Sequence, residues 1–93
     1  MAGDLLLGID QGTTGTTALL LDHESRVVAL RTAEVPIRFP APGLVEQDAD
    51  AMWASVASAV SGVLAGIDPS RIAAIGITNQ RETCLLWDAA SGV

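Results

Sequence analysis

The amino-acid sequence predicts an α/β fold: a mixed sheet whose strands one to three are antiparallel, followed by a crossover helix and a parallel fourth strand. Three short apolar runs separated by turn residues fill the first third of the chain. A longer segment with helical spacing and one more apolar run follow, which is the order of a strand, helix and strand crossover. The 93 residues, 49% of them hydrophobic, suffice for one packed domain at most.

Each strand is predicted from a run of apolar residues. Strands are expected over residues 5–10 and 16–22, because Leu5, Leu6, Leu7 and Ile9, and again residues 18–21, are continuous enough in apolar character to be buried on both faces of a sheet. Residues 27–35 carry outward charges and should lie near an edge, where charges discourage sheet-to-sheet association. Residues 72–78 have the composition of a central parallel strand, and residues 83–87 predict a further strand.

A helix is expected over residues 49–65, with Asp48 as its N-cap. Acidic residues suit the positive end of a helix, so we favour this cap over a metal cluster. Prolines before the helix predict an extended surface loop over residues 37–47, and residues 42–48 are assigned a structural role. Small residues on one helix face would allow close approach by another neighbour. The stripe expected to face the core is Met52, Val56, Val60 and Val63.

Composition narrows the classes of function. The net charge is −6 and no stretch concentrates arginine, so neither a nucleic-acid backbone nor a membrane is an expected partner. One cysteine excludes an internal disulfide, and the N-terminus lacks a signal-peptide pattern, which together favour a cytoplasmic protein. Cys84 and Trp87 are expected in the core, and His23 in a solvated turn.

The loop between the first two strands is rich in glycine and threonine. Glycines let the backbone approach a ligand closely, and threonine hydroxyls add hydrogen-bond donors, so the loop suits phosphate oxygens. Asp10 ends the first strand, where a Mg²⁺ ion carried by a nucleotide is a natural partner for its carboxylate. An ordinary tight hairpin fits the same residues. The loop does not have the glycine spacing of a dinucleotide-binding motif, and the Walker motif is excluded because the chain contains no lysine.

A second polar group, residues 79–83, follows the predicted fourth strand. It packs amide, guanidinium, carboxylate and hydroxyl groups into five residues. The hydroxyls of a polyol both donate and accept hydrogen bonds, so Arg81 and Glu82 could satisfy both roles at one ligand. A surface turn with an incidental ion pair is the alternative.

The strand, loop and strand reading Asp10-Gln11-Gly12-Thr13-Thr14, together with Asn79-Gln80-Arg81-Glu82-Thr83, resembles the FGGY family of carbohydrate kinases, and within it the members that phosphorylate glycerol. The resemblance implies the ribonuclease-H-like fold of the actin-like ATPase superfamily, in which strand four lies beside strand one and their carboxyl ends meet. It also implies ATP and Mg²⁺ as cofactors and glycerol as substrate. The residues implied to bind nucleotide phosphates are Asp10, Gly12, Thr13, Thr14 and Gly15; Asp10 would serve Mg²⁺ indirectly, and Arg81 and Glu82 would bind glycerol.

The resemblance further implies that residues 1–93 are the N-terminal part of the first of two domains, and that the full-length protein is a homo-oligomer. The catalytic base would be an aspartate further along the chain, so these residues contain no catalytic residue and should be inactive alone. Thr17 stands where many such kinases have arginine. The alternatives are a kinase for another sugar or polyol, and a non-catalytic actin-like nucleotide-binding module.

Overall fold

The computed structural model describes residues 3–93 and contains one four-stranded mixed sheet with a helix on one face. The strand order is β3-β2-β1-β4, with β1 antiparallel to β2 and parallel to β4. This confirms the predicted architecture, including the edge position of the third strand. The elements are β1 (Leu5–Gln11), β2 (Gly15–Leu21), β3 (Val27–Glu34), α1 (Ala49–Leu64), a 3₁₀ turn (Pro69–Arg71) and β4 (Ile72–Asn79).

The core lies between the sheet and α1. Leu5 and Leu7 of β1 and Leu20 of β2 point to the same face because side chains alternate along a strand, and they meet small and branched residues of the helix. The helix lies mainly over β2 and β3 and reaches β1 only slightly. The buried cluster consists of Leu5, Leu7, Ala18, Leu20, Ala59 and Val63.

The helix packs through a face that only partly matches the predicted one: Val63 is buried and Val60 packs against the core as predicted, but Met52 and Val56 do not join it. The buried residues are Ser55, Ala59 and Val63, which are four residues apart and mostly small. Small side chains let the helix approach the sheet closely: a Cβ at Gly62 would lie 2.8 Å from Cγ of Arg31. The stem of Arg31 therefore packs under the helix instead of pointing outward as a charge on an edge strand.

A buried hydroxyl pair joins the helix to the sheet. Thr16 is 0% exposed and Ser55 is 3% exposed, and their hydroxyl oxygens lie 2.6 Å apart. The Ser55 hydroxyl also donates a hydrogen bond to the carbonyl oxygen of Met52 at 2.6 Å. Its oxygen therefore accepts the hydrogen bond that the Thr16 hydroxyl donates. Each buried hydroxyl is thereby satisfied, which avoids the cost of an unpaired polar group.

Two apolar surfaces are left open among the described residues, so the predicted burial of the strands on both faces is wrong there. Leu6 points away from the helix and is 44% exposed. Ile75 and Ile77 pair with Leu7 and Ile9 and share their face, but the helix does not extend over β4, so both are exposed. The fourth strand is accordingly an edge strand in this chain, not a central one.

Residues 83–87 form no strand, and Cys84 and Trp87 are exposed, so three predictions about this segment are wrong. Apolar composition alone does not make a strand, because its backbone groups need a partner strand. Within residues 3–93 no strand pairs with this segment.

The loop before the helix doubles back instead of running extended. Backbone amides of Arg38 and Glu46 each donate to the other's carbonyl oxygen, at 2.8 and 2.9 Å. The predicted cap is confirmed, because the Asp48 carboxylate accepts a hydrogen bond from the backbone amide of Asp50 at 3.0 Å. The segment before α1 is therefore held at both ends.

The predicted turn around His23 is also confirmed. The Asp22 carboxylate accepts hydrogen bonds from the backbone amides of Glu24 and Arg26, and His23 between them is exposed.

An ion pair fixes the start of the parallel strand pair. Arg71 donates two hydrogen bonds to the carboxylate of Asp4, at 3.0 and 2.8 Å. These bonds, opposed in part by desolvation, lower the pKa of Asp4. The two strands that carry the polar segments described below are thus joined at their amino ends.

We predict that Ser55→Ala lowers the free energy of unfolding by about 1–3 kcal/mol, because it leaves the buried Thr16 hydroxyl without its partner. Ser58→Ala makes the same change at an exposed position of the helix and controls for helix propensity. Urea denaturation of both variants measures the difference. Equal midpoints for the two variants would show that the hydroxyl pair contributes nothing.

Candidate functional site

The carboxyl ends of β1 and β4 meet at one edge of the sheet, as predicted. Asp10 pairs with Thr78 and Gln11 with Asn79, the last pair of the parallel ladder. The β1–β2 loop and the polar segment after β4 both begin at this edge. Ligand sites in α/β folds commonly lie there.

The strand pleat sends neighbouring residues of β1 to opposite faces. Asp10 points to the face away from the helix, where Thr17 and Thr32 also lie and their hydroxyl oxygens are 3.1 Å apart. Its carboxylate is exposed and makes no hydrogen bond or ion pair within residues 3–93. Gln11 points to the helix side. The carboxylate is thus free to accept donors or to serve a cation.

Backbone hydrogen bonds fix the shape of the β1–β2 loop. The amide of Gly12 donates to the carbonyl oxygen of Gly15 at 2.8 Å, and the amide of Val35 donates to that of Thr14 at 3.0 Å. A Cβ at Gly15 would lie 2.8 Å from the carbonyl oxygen of Ala33. The packing of β2 against β3 therefore requires glycine here, a reason distinct from the ligand approach expected from the sequence.

The Asp10 pocket is the hollow beside this loop on the open face of the sheet. It collects four of the five residues predicted to bind phosphates, while Thr13 lies outside it. Two carboxylates and no basic side chain line it, so phosphate oxygens would be repelled unless a cation lay between them. Its lining is Asp10, Gly12, Thr14, Gly15, Thr17, Thr32, Glu34, Val35 and Pro36.

The donor set of the Asp10 pocket fits Mg²⁺ bound together with a nucleotide. Mg²⁺ in such sites takes one or two carboxylates and completes its shell with phosphate oxygens and water. Residues 3–93 hold no group of three or more His, Cys, Asp or Glu side chains suited to a metal ion. A metal at Asp10 would accordingly need ligands supplied by the nucleotide and by water.

The Glu82 groove is a second hollow, on the helix side of the same edge. Its lining combines amides, hydroxyls and two carboxylates with apolar side chains. Arg81 is exposed and lies outside the lining, so the two residues predicted to bind a polyol are not brought together in one hollow. The polar lining residues are Gln11, Thr13, Glu46, Gln47, Gln80, Glu82 and Thr83; the apolar ones include Val45, Met52, Trp53, Val56, Cys84 and Leu85.

Glu82 has a left-handed backbone conformation, with φ of 60°. A residue with a side chain is disfavoured there by about 1–2 kcal/mol. Strained conformations of this kind cluster at binding sites. Glu82 lines the groove together with Gln80 and Thr83.

Gln47 is a polar contact that sequence reasoning missed. Its side-chain amide donates to the carbonyl oxygen of Thr13 at 2.5 Å, and its Oε1 accepts a hydrogen bond from Nε2 of Gln80 at 3.0 Å. The partners are 34 and 33 residues away along the chain. No local pattern could reveal these contacts, since the partners are distant in sequence, and the sequence predicts only a structural role for residues 42–48.

A sequence profile for the N-terminal domain of the FGGY family of carbohydrate kinases matches residues 5–92. The chain belongs to this family. Within residues 3–93 of this FGGY chain, no helix combines the length and the apolar character needed to cross a membrane.

Relatives and solved structures agree with this assignment. The chain is 53% identical over 89 residues to a glycerol kinase of Xanthobacter autotrophicus and 50% identical over 92 residues to one of Agrobacterium fabrum. These alignments cover 94% and 97% of the chain but 18% of each relative, so the chain spans about a fifth of their length.

The solved structures confirm the predicted ribonuclease-H-like, actin-like ATPase fold. A xylulose kinase from Rhodospirillum rubrum matches with a TM-score of 0.85 and 26% identity. A Plasmodium falciparum glycerol kinase with ADP matches with a TM-score of 0.80 and 27% identity. Each match covers 96% of this chain and 18% of the other.

We predict that Gly15→Ala destabilises the protein by about 1–3 kcal/mol, because the added methyl group forces the backbone of β2 away from Ala33. Gly76→Ala is the matched control, since a Cβ there meets no atom within 4 Å. Urea denaturation compares the two. A Gly15→Ala variant as stable as the control would contradict the packing argument.

Proposed function

We propose that this FGGY chain is the N-terminal part of the first domain of an ATP-dependent glycerol kinase, which transfers the γ-phosphoryl group of MgATP to a terminal hydroxyl of glycerol and yields glycerol 3-phosphate. The observation that carries the proposal is the identity of about half of the residues, over nearly the whole chain, with relatives named glycerol kinase. The rest of the first domain, the second domain and the catalytic base would lie in the remaining four-fifths of such a protein.

In this proposal the Asp10 pocket receives the nucleotide phosphates. The amides of Thr14 and Gly15 and the hydroxyl of Thr14 would donate to phosphate oxygens, while Gly12, whose amide is bonded to the Gly15 carbonyl oxygen, would shape the loop. The unpaired carboxylate of Asp10 would hold Mg²⁺, directly or through its water. Bound Mg²⁺ would offset the charge of the phosphates in phosphoryl transfer. Thr13 would contribute through the shape of the loop. Thr17 provides no positive charge for phosphate binding, so Mg²⁺ would have to neutralise more of the negative charge of the phosphates.

The Glu82 groove would receive the polyol. The Glu82 carboxylate would accept hydrogen bonds from glycerol hydroxyls, and the amide of Gln11 and the hydroxyl of Thr83 would donate beside it. The amides of Gln47 and Gln80 are bonded to Thr13 and to each other and are given no polyol contact. The apolar side chains of the lining would pack against the carbon chain. Arg81 would reach the polyol from outside the lining, so its role requires the side chain to turn toward the groove.

Substrate profiling of the full-length protein with MgATP tests the proposal. We expect the highest kcat/KM for glycerol among glycerol, xylulose and gluconate, measured as phosphorylated product. A preference for xylulose or gluconate would assign the protein to another sugar or polyol kinase. Nucleotide-dependent assembly without any phosphorylated product would instead support a non-catalytic actin-like module. Cytoplasmic location and homo-oligomeric assembly of the full-length protein stay predictions.

In the full-length protein, Asp10→Asn should lower kcat at least ~10²-fold, because the change keeps side-chain size but removes the charge that serves the metal. Asp50→Asn, an exposed position in the first turn of α1, is the matched control and should stay near wild type. Steady-state kinetics with MgATP and glycerol measures both. Near-normal turnover of Asp10→Asn would make the carboxylate a structural feature of the strand end.

Arg81→Ala in the full-length protein should lower kcat/KM for glycerol by roughly ten- to over a hundredfold, the effect of losing a charged hydrogen bond of about 1.5–3 kcal/mol. The KM for ATP should change much less. Arg26→Ala, in the exposed β2–β3 turn, controls for loss of a positive charge. An unchanged kcat/KM for glycerol would leave Arg81 as an ordinary surface residue.

A further inference from the structure

Two hollows lie on opposite faces of one sheet edge, and a single side chain connects the elements that form them. We propose that Gln47 is a positioning residue that couples the β1–β2 loop to the segment after β4, so that nucleotide and polyol are held in a fixed relation. The inference rests on the proposed function for its ligands. Its structural basis is the pair of hydrogen bonds from Gln47 to Thr13 and Gln80.

The bridge uses both ends of one amide. Nε2 of Gln47 donates to the Thr13 carbonyl oxygen, and Oε1 accepts from Gln80. The carbonyl oxygen can only accept, so a flipped Gln47 amide would set two acceptors against each other at Thr13. The orientation of the amide is therefore fixed by chemistry. The hydrogen bond between Gln47 and Gln80 is half-buried, which limits competition from water, while the bond to Thr13 is exposed.

The base of the bridge is rigid. On one side of Gln47, the backbone of Glu46 makes two hydrogen bonds with Arg38. On the other side, Asp48 caps α1, and its carbonyl oxygen accepts from the amide of Met52 at 3.0 Å. A side chain anchored between two such fixed points can hold its partners in place, because its own backbone has little freedom to follow them.

Both ends of the bridge adjoin candidate ligand residues. Thr13 precedes Thr14, which lines the Asp10 pocket, and Gln80 precedes Arg81 and Glu82. A shift of the loop relative to the segment would change the distance between the two ligands. Transfer between bound reactants is sensitive to this distance, since a misplacement of about 1 Å can cost ~10²-fold in rate.

Kinetics of full-length variants tests the proposal. Gln47→Ala removes both hydrogen bonds, Gln47→Glu keeps the acceptor for Gln80 and removes the donor to Thr13, and Gln80→Ala removes one bond only. We expect Gln47→Ala to lower kcat about 10- to 100-fold with both KM values within about threefold. The double variant Gln47→Ala with Gln80→Ala should be no slower than Gln47→Ala.

Ser55→Ala is the matched structural control. It removes the hydroxyl pair between α1 and β2 but leaves both bridging hydrogen bonds and the backbone on either side of Gln47, so it should lower Tm and leave kcat unchanged. A kcat for Gln47→Ala within twofold of wild type would overturn the proposal. So would an equal loss of kcat in Ser55→Ala. If Gln47→Ala does not fold, Gln47→Glu, which keeps size and one hydrogen bond, is judged by the same criteria.

Hydrogen exchange gives a readout that does not depend on turnover. In the full-length wild type, glycerol alone should slow amide exchange directly in residues 80–83 and, through the bridge, in residues 12–15. MgADP alone should slow exchange directly in residues 12–15 and, through the bridge, in residues 80–83, because coupling is reciprocal. In Gln47→Ala only the directly bound segment should be slowed. Equal transmission in wild type and variant overturns the bridge. A wild type that responds to MgADP in both segments but never to glycerol supports the bridge and contradicts glycerol as substrate.

Discussion

The pairing of β1 with β2 on one side and with β4 on the other determines where every candidate site residue lies. This double pairing fixes the pleat of β1, so Asp10 and Gln11 leave the same strand end toward opposite faces. A register shift of one residue would exchange the two faces and move Asp10 beneath the helix. The ion pair of Asp4 with Arg71 at the other end holds the same register.

Strand and cap positions could be predicted because their signals are local. Apolar runs gave β1, β2, β3 and β4 to within about a residue or two, and an acidic residue before an apolar helix identified Asp48. Apolarity predicted the burial of Val63 but not the rest of the buried helix face, because close packing selected Ser55 and Ala59 over larger side chains. The strand predicted over residues 83–87 does not form, because this apolar segment has no partner strand within residues 3–93.

The candidate site was predictable in its parts and not in its arrangement. The loop and the segment after β4 each combine residue types suited to a ligand, and the crossover predicted that they meet. The division of Thr13 and Thr14 between two hollows depends on the path of the loop, and the Gln47 bridge depends on contacts across more than thirty residues. Such contacts follow from the tertiary fold alone.

The most direct test of the account is a crystal structure of the full-length protein with MgADP and glycerol. We expect phosphate oxygens beside the backbone of the β1–β2 loop on the open face of the sheet, with the metal within direct or one-water reach of the Asp10 carboxylate, and glycerol hydrogen-bonded to Glu82. Phosphates bound on the helix side, or a metal remote from Asp10, would contradict it.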